Sequence, residues 1–223
     1  MNNLNVNGNE DQRSRFLPRA CAGEIIGGIC MSEPSGGTDV MAMKSFARPS
    51  ADGSYWTLNG TKLWITNGTI DGTDTGDAYI VYAKTNLAAK DGGLTAFIVE
   101  KGMEGFTLGR KITDKLGTRA SPTAELFFTD VKIPKENILG GVGRGAMGMM
   151  RNLEIERICG AAYGLGIARR CIEIMSKYSQ ERKAFGKPIG DFGQVSLFDR
   201  LPVIFCVFYL FFFFFFLDSK SHC

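Results

Sequence analysis

The hydrophobic pattern of this 223-residue chain changes its period once, near residue 140. Between residues 24 and 140 the apolar residues come in short runs rich in β-branched and aromatic side chains, which is typical of strands. Glycine, Asn and Asp separate these runs, and none of them has the length and period of a helix. We therefore expect mainly antiparallel strands that form a small β-barrel or sandwich, rather than a doubly wound sheet. The clearest runs are 77–85, 94–100, 106–112 and 125–133.

Beyond the glycine-rich segment 140–145 the apolar period becomes helical, and it predicts a long helix over about 147–178. The middle of that helix, residues 160–166, contains three glycines, each of which costs about 1 kcal/mol against alanine in a helix interior. Such a sequence is tolerable where a neighbouring helix, sheet or ligand must approach closely. Near the other end of the chain, residues 10–17 predict a short helix that ends at Pro18.

Two local motifs stand out within the strand-rich part. Residues 30–39, Cys-Met-Ser-Glu-Pro-Ser-Gly-Gly-Thr-Asp, place hydroxyls beside backbone N–H groups that small residues leave accessible. This composition suits a planar or phosphorylated ligand with many hydrogen-bond acceptors, although ordinary surface turns have the same composition. Further on, residues 55–67 predict a β-hairpin with a two-residue turn at Asn59 and Gly60, whose second strand carries Trp64 and Thr66 on one side.

Composition narrows the possible functions. A net charge of +3 without a Lys/Arg run or zinc-finger spacing disfavours nucleic-acid binding. Six cysteines without a Cys-x-x-Cys pair favour a reducing compartment. The only histidine is His222, so we expect no histidine base and no multi-histidine metal site, and carboxylates must carry any acid–base chemistry. Residues 1–8 have neither an apolar signal core nor the character of a mitochondrial presequence.

Read together, residues 31–39 and the segment Leu-Trp-Ile-Thr-Asn at 63–67 resemble the flavin-binding region of the acyl-CoA dehydrogenase family. The resemblance covers about 7–194 and is closest to the isovaleryl-CoA dehydrogenase branch, through residues 82–85, 94–102 and 154–157. It implies an α+β fold whose central antiparallel β-domain, a barrel or sandwich, binds flavin and CoA. The implied divisions are a remnant of an N-terminal helical domain that is mostly missing over 1–26, the β-domain over 27–140, and the first long helices of a C-terminal helical bundle over 141–200.

The resemblance implies an FAD-dependent α,β-dehydrogenation of a short branched-chain acyl-CoA in leucine catabolism, with electrons passed to an electron-transferring flavoprotein. Full-length members are homotetramers and commonly work in the mitochondrial matrix, so the absence of a presequence indicates a missing N-terminus. The reaction needs a carboxylate base whose pKa is raised in a dry pocket. Glu154 and Glu156 point about 200° apart on the predicted helix, and periodicity does not choose between them. An ion pair with Arg151 or Arg157 is the alternative role for Glu154.

The resemblance selects Glu156 as the base, because that position immediately precedes an arginine. A tryptophan beside a threonine hydroxyl can pack against an isoalloxazine face, although core packing is the alternative for Trp64 and Ile65. The guanidinium of Arg182 suits a pyrophosphate. The implied FAD contacts are Ile29, Cys30, Met31, Ser32, Thr38, Trp64, Ile65, Thr66, Arg182, Phe185 and Gln194. The implied substrate contacts are Thr38, Met147, Glu154 and Arg157. Two departures from the isovaleryl pattern, an extra residue at Gly193 and a methionine in place of tyrosine at Met147, bear on substrate identity.

Residues 201–217 are almost continuously apolar and contain six consecutive phenylalanines, a sequence that resembles nothing in the family. A membrane span needs about 20 apolar residues, so this segment is marginal as one, and we consider membrane insertion the weaker interpretation. A pyrimidine-rich stretch translated past a missed splice boundary would also encode it, which is the interpretation we favour for the aberrant tail 201–223. Two alternatives to the enzyme hypothesis follow: a catalytically inactive truncated fragment, and a tail-anchored membrane protein.

Overall fold

The computed structural model describes residues 1–86, 88–89 and 93–193. Gln194 and the apolar tail 201–223 lie outside the described residues. The chain divides into two compact units, Met1–Asn152 and Leu153–Cys223, and the division between them falls inside the long helix. The helices are α1 (Asn2–Asn7), α2 (Glu10–Cys21) and α3 (Gly145–Glu181). The strands are β1 (Gly27–Cys30), β2 (Phe46–Pro49), β3 (Tyr55–Thr66), β4 (Ala78–Lys84), β5 (Leu94–Glu100), β6 (Phe106–Lys111), β7 (Thr123–Pro134), β8 (Ile138–Leu139), β9 (Lys183–Ala184) and β10 (Lys187–Pro188).

The first unit is built on one sheet of eight strands in the order β6-β7-β3-β2-β4-β5-β8, with β1 also paired to β4. All pairings are antiparallel except β1–β4 and β2–β4, which are parallel, so the sheet is mixed but mainly antiparallel as predicted. Within the described residues the end strands β6 and β8 do not pair with each other, and the sheet is sandwich-like rather than a closed barrel. The α+β fold expected from the sequence is confirmed.

The core of this unit comes from the alternating inward residues of the paired strands. Three aromatic rings of the core are in contact: Phe106 stacks on Phe128 at a centroid distance of 5.1 Å, and Tyr79 meets Phe106 edge-on at 5.6 Å. Long runs on β4 and β5 are buried on both faces and read as continuous apolar sequence. The other large core side chains are Leu58, Ile65, Val81, Phe97, Val99, Leu126, Val131 and Ile133.

The predicted hairpin at Asn59 and Gly60 is wrong, because β3 is one strand of 12 residues that runs straight through them. It pairs with β2 on one edge and with β7 on the other, and neighbours on both edges hold it extended. The register with β7 shifts between Leu58 and Gly60, because β7 has one residue more than β3 between the pairs Leu58–Val131 and Gly60–Phe128. Asn59 exchanges hydrogen bonds with Asp130 of β7, at 2.9 and 3.0 Å. Tertiary pairing therefore overrides the local preference for a turn.

The prediction that Pro18 ends the first helix is also wrong, since α2 continues to Cys21. The helix begins with a capping box between Asn9 and Gln12, and its last turn is kept by a 3.0 Å bond from the Ala22 N–H to the Pro18 carbonyl. Proline removes one helical hydrogen bond at a cost of about 3 kcal/mol. Packing offsets that cost: Phe16 is buried, and Gln12 Nε2 donates to the carbonyls of Glu136 and Ile138, each at 2.8 Å.

The second unit holds most of α3, which agrees closely with the predicted helix 147–178, followed by the small hairpin β9–β10. Many apolar side chains of this part of α3 are exposed, among them Ile158, Tyr163 and Ile174. No helix within the ranges that the structure describes is long and apolar enough to cross a membrane. The division of the chain into the domains given above stays a prediction.

Gly60 provides a test of the close approach between β3 and the residue that precedes β2. A Cβ at this position would lie 2.1 Å from Ser45 Oγ and 2.9 Å from Ser45 Cα, and the residue has a φ of +153°. We expect Gly60→Ala to lower the free energy of unfolding by about 3 kcal/mol through overpacking. Gly53→Ala is the control, since that glycine has a φ of +70° but open space around it, and only about 1 kcal/mol of backbone strain is expected. Urea unfolding measures the free energy of unfolding of both variants. An equal decrease in the two variants would contradict the close approach of Gly60 to Ser45.

Candidate functional site

The two sequence motifs that carry the flavin resemblance lie side by side. The end of β1 and the loop that follows it run along the second half of β3. The Leu63 N–H donates to the Ser32 carbonyl at 2.9 Å, and Asn67 Nδ2 donates to the Gly27 carbonyl at 3.0 Å. Between these bonds the two backbones are so close that a Cβ on Gly28 would lie 2.5 Å from the Thr66 carbonyl oxygen. Glycine is required here because any side chain would separate the two segments.

Exposure separates the side chains of this surface into two groups. Cys30 and Ile65 are buried in the core, and burial raises the pKa of the Cys30 thiol to about 12, so the thiol is neutral. Trp64, in contrast, is 57% exposed, and Thr66 is exposed beside it. Core packing therefore explains Ile65 and Cys30, which present at most their backbone to a ligand, but it does not explain Trp64.

A second irregularity in β3 turns Trp64 outward. The register with β7 shifts between Lys62 and Ile65, and Trp64 has a φ of +64°, in the left-handed region that large side chains rarely adopt. Such a conformation costs about 1–3 kcal/mol and persists only where the surrounding structure imposes it. The result is a tryptophan held outside the core, beside a threonine hydroxyl.

The loop after β1 folds into a tight turn. Glu33 and Gly36 exchange backbone hydrogen bonds at 3.0 and 3.1 Å, which closes the segment Glu-Pro-Ser-Gly. Ser32 is half-buried at the start of this turn, and Thr38 is exposed after it. The ordinary surface turn that the sequence allowed is therefore present. It coexists with the placement of Ser32 against β3.

An ion pair inside the fold anchors this loop, and sequence reasoning missed it. Lys62 Nζ lies 2.9 Å from Glu33 Oε1, with the two side chains 0% and 4% exposed. The glutamate also accepts hydrogen bonds from the Lys44 N–H at 2.6 Å and from the N–H and hydroxyl of Ser45 at 3.0 and 2.5 Å. One signal was available in the sequence: Lys62 is four residues from the buried Leu58 and so falls on the inward face of the strand. A lysine there needs a counter-charge.

The surroundings of the pair decide its charge state. Burial acts to raise the pKa of Glu33, but the Lys62 ammonium, the Ser45 hydroxyl and the Lys44 N–H outweigh burial, and the pKa lies below its ordinary value. For Lys62 burial is the largest effect and lowers the pKa, with the Glu33 carboxylate opposing it. We therefore treat Glu33 as ionised at neutral pH.

The remaining predicted site residues lie on or near α3. Met147, which is exposed, belongs to the first unit and lines a cavity of about 90 Å³ together with Tyr82 and Arg144. Glu154, Glu156 and Arg157 are exposed on the second unit. The ion pairs found on the described part of α3 are Arg169–Glu173, Arg170–Glu173 and Lys177–Glu181, and none of them involves Glu154.

Arg182 and Phe185 lie at the hairpin after α3. Arg182 is exposed, and its backbone bonds Tyr178 and Ile189, each at 2.8 Å. Phe185 and Gly186 have φ values of +50° and +79°, as in the tight turns of two-residue hairpins, and Phe185 is 96% exposed. The structure thus brings Ile29–Ser32 together with Trp64–Thr66, and Thr38 follows in the same loop as Ser32. The roles of all the predicted site residues stay predictions.

A cavity of about 440 Å³ lies between the first two helices and the sheet. Its walls are mainly apolar and include Phe16, Ile26 and Ile80. It meets the two motifs only at their edges, at Ile29 and at Asn67. The cavity is therefore next to the two motifs but is not formed by them.

Comparison with known proteins decides the family. A model of the acyl-CoA dehydrogenase middle domain matches residues 28–131, and a model of the acyl-CoA dehydrogenase C-terminal domain matches residues 143–197. The chain belongs to the acyl-CoA dehydrogenase family. The members of this family are oxidoreductases. The matched ranges include the loop after β1, the strand β3 and the helix α3.

Relatives of known name show the same membership. The chain is 44% identical over 192 residues to the mitochondrial isovaleryl-CoA dehydrogenase of Solanum tuberosum, covering 86% of this chain and 45% of that protein. It is 43% identical over 186 residues to a glutaryl-CoA dehydrogenase of Desulfococcus multivorans, covering 83% of this chain and 46% of that protein. The chain therefore spans less than half the length of these curated relatives.

Solved structures share the fold. Butyryl-CoA dehydrogenase from Megasphaera elsdenii superposes with a TM-score of 0.85 at 39% identity, covering 92% of this chain and 52% of that one. An acyl-CoA dehydrogenase from Bacillus anthracis complexed with FAD superposes with a TM-score of 0.78 at 35% identity, covering 86% of this chain and 31% of that one. The prediction of the family, including its similarity to isovaleryl-CoA dehydrogenases, is confirmed.

The lowered pKa of Glu33 predicts how stability depends on pH. A carboxylate whose folded pKa is below its ordinary value of 4.5 contributes stability that is fully present above that pH and is lost as the pH falls through the folded pKa. We expect Glu33→Gln to lower the free energy of unfolding by about 3 kcal/mol at pH 7, because it leaves the buried ammonium without its counter-charge. The difference from the unaltered chain should shrink progressively below pH 4.5.

Urea unfolding at several pH values between neutral and acid measures this difference. Asp74→Asn is the control, since Asp74 pairs with Lys101 at 2.6 Å on the exposed surface of the same unit, and it should change stability little at any pH. A loss for Glu33→Gln that is the same at neutral and acid pH would contradict the ionised state of Glu33.

Proposed function

We propose that this chain carries the flavin-binding surface and the catalytic base of an FAD-dependent acyl-CoA dehydrogenase that acts on a short branched-chain acyl-CoA of the isovaleryl type. Electrons would pass to an electron-transferring flavoprotein, and the mitochondrial names of several relatives support the matrix as the location. Relatives named for glutaryl-CoA and for short-chain substrates are about as similar to this chain as the isovaleryl-CoA dehydrogenases are. The choice of a branched acyl group is therefore the most specific part of the proposal.

The outward Trp64 carries the proposal. A large indole in a strained left-handed conformation, beside the Thr66 hydroxyl and next to the Ser32 backbone, offers a flat apolar surface with polar groups at its edge. Those features fit a three-ring flavin, which is planar and bears donors and acceptors along its rim. Ile29, Met31 and Thr38 would complete this side of the cofactor, and Arg182, Phe185 and Gln194 would hold its diphosphate and adenine end.

The reaction removes two hydrogens from neighbouring carbons of the acyl chain. FAD, when bound, supplies the two-electron acceptor for the hydride from the β-carbon. The Glu156 carboxylate would take the proton from the α-carbon, and the carbon–carbon double bond forms from the electrons of that C–H bond. Thr38, Glu154 and Arg157 would bind the CoA portion, while Met147 would contact the acyl group. A chain that binds FAD but does not turn over substrate would instead fit the inactive-fragment alternative.

The FAD surface is tested by tryptophan fluorescence, because the chain contains only two tryptophans. Trp64 is exposed on the proposed site, whereas Trp56 packs against the core beside Phe97 at 5.9 Å. We expect added FAD to quench the emission of the full chain. Trp56→Phe should keep the quench, and Trp64→Phe should abolish it because the reporting indole is gone. Trp64→Phe should also weaken FAD binding by about threefold, since a phenyl ring covers less of the flavin than an indole. Equal quenching in both variants would contradict FAD binding at the surface that carries Trp64.

The base is tested by a matched pair of variants on α3. Glu156→Gln should lower the rate of flavin reduction by isovaleryl-CoA by about 10²–10⁴, the contribution of a general base, with FAD affinity unchanged. Glu154→Gln, two residues away on the other side of the helix, should mainly affect substrate affinity. Absorbance of the bound flavin under anaerobic conditions measures the rate. Similar rates for Glu156→Gln and the unaltered chain would contradict the assignment.

A further inference from the structure

The buried Glu33–Lys62 pair makes more contacts than charge neutralisation requires. Glu33 Oε1 accepts hydrogen bonds from Lys62 Nζ and from both the N–H and the hydroxyl of Ser45, while Oε2 accepts one from Lys44. Lys62 Nζ donates in addition to the Met31 carbonyl at 3.2 Å and to the Met43 sulfur at 3.6 Å. These bonds tie together three stretches of backbone: the loop after β1, the residues just before β2, and the second half of β3.

The pair is also adjacent in sequence to the contact that holds the two flavin motifs together. Glu33 directly follows Ser32, whose carbonyl accepts the hydrogen bond from Leu63, and Lys62 directly precedes Leu63. The next residue of β3 is Trp64, in its left-handed conformation at the register shift. A displacement of the ion pair would therefore move the Ser32 carbonyl and the Trp64 indole relative to each other.

Stability alone does not account for a charged pair at this place. Removing two charges from water costs about as much as their attraction returns, so a well-packed apolar pair of the same volume is often equally stable. Directional hydrogen bonds differ from apolar contacts in allowing only one arrangement of the atoms that they join. The distinctive contribution of the pair is therefore geometric.

We infer that Glu33 and Lys62 are positioning residues, which set the spacing between the Ser32 backbone and the Trp64 indole for a planar cofactor. The inference rests on the proposed FAD surface. Neither side chain reaches the exterior, so both act through the backbone of their neighbours. The pair thus controls cofactor affinity without contacting the cofactor.

The double variant Glu33→Gln/Lys62→Met tests this role in the full chain. It removes both charges, keeps the side-chain length at position 33 and shortens the side chain at position 62 by a single heavy atom, so no single charge is left buried. We expect hydrogen exchange of the amides in 31–39 and 63–66 to accelerate by about tenfold or more, and the FAD dissociation constant from Trp64 quenching to rise by about tenfold. Amides of β5, which have no hydrogen bond to Glu33, Lys62 or Ser45 among the described residues, should keep their exchange rates.

Val131→Ala is the matched control, since it truncates a fully buried core residue of β7 that pairs with Leu58 rather than with Lys62. It should lower the urea midpoint, yet leave the exchange of 31–39 and the FAD dissociation constant within about twofold. If the double variant does not fold, Ser45→Ala removes one hydrogen bond to Glu33 and should give a smaller acceleration, about threefold, at the same amides only.

Three results would overturn the inference: unchanged exchange in 31–39 and 63–66 for the foldable variant, acceleration spread evenly over the sheet, or an equal loss of FAD affinity in Val131→Ala. The proposed function fails separately, through the absence of any FAD quench in the unaltered chain. In that case the exchange comparison still decides whether the pair positions the two segments.

Discussion

A carboxylate and an ammonium, those of Glu33 and Lys62, meet in the interior of the first unit, and the placement of the surrounding backbone depends on them. Charges that are this deeply buried are tolerated only when their hydrogen bonds are complete, and here the partners come from three separate stretches of chain. The loop after β1, the approach to β2 and the second half of β3 must therefore be in place together. The surface formed by Ser32, Trp64 and Thr66 is a consequence of that requirement.

The central strand β3 shows how a sheet can serve both a core and a surface. Its pairing with β2 and β7 keeps Leu58 and Ile65 inside. The register between β3 and β7 shifts twice: the extra residue is on β7 opposite Asn59, and on β3 at 63–64, where Trp64 turns outward. Bulges are common next to functional sites because they re-aim a side chain without breaking the sheet. In this chain the bulge on β3 turns an aromatic side chain to the exterior within the range that the middle-domain model matches.

The second unit holds side chains of a different chemical kind from those of the first. They are the exposed carboxylates of α3, the arginine that follows the helix, Arg182, and the exposed Phe185 of the small hairpin. These groups are of the kinds that acid–base work and phosphate binding use, and their assignment to FAD and acyl-CoA is part of the proposed function. The curated relatives are more than twice as long as the segment they share with this chain, so activity is a property to be measured on the chain itself.

The sequence by itself determined the change from strands to a long helix, the mainly antiparallel sheet and the family, because periodicity and short motifs are local properties that survive without knowledge of the fold. It also predicted that residues 31–39 and 63–67 belong to one surface, and the two segments lie side by side. Only the tertiary structure decided that Asn59-Gly60 continues a strand and is not a turn, that α2 continues through Pro18, and that Cys30 is core while Trp64 is exposed. The same is true of the Glu33–Lys62 pair. Each of these depends on which segment lies opposite, across a strand edge or within the core, and residues distant in sequence make that choice through pairing and burial.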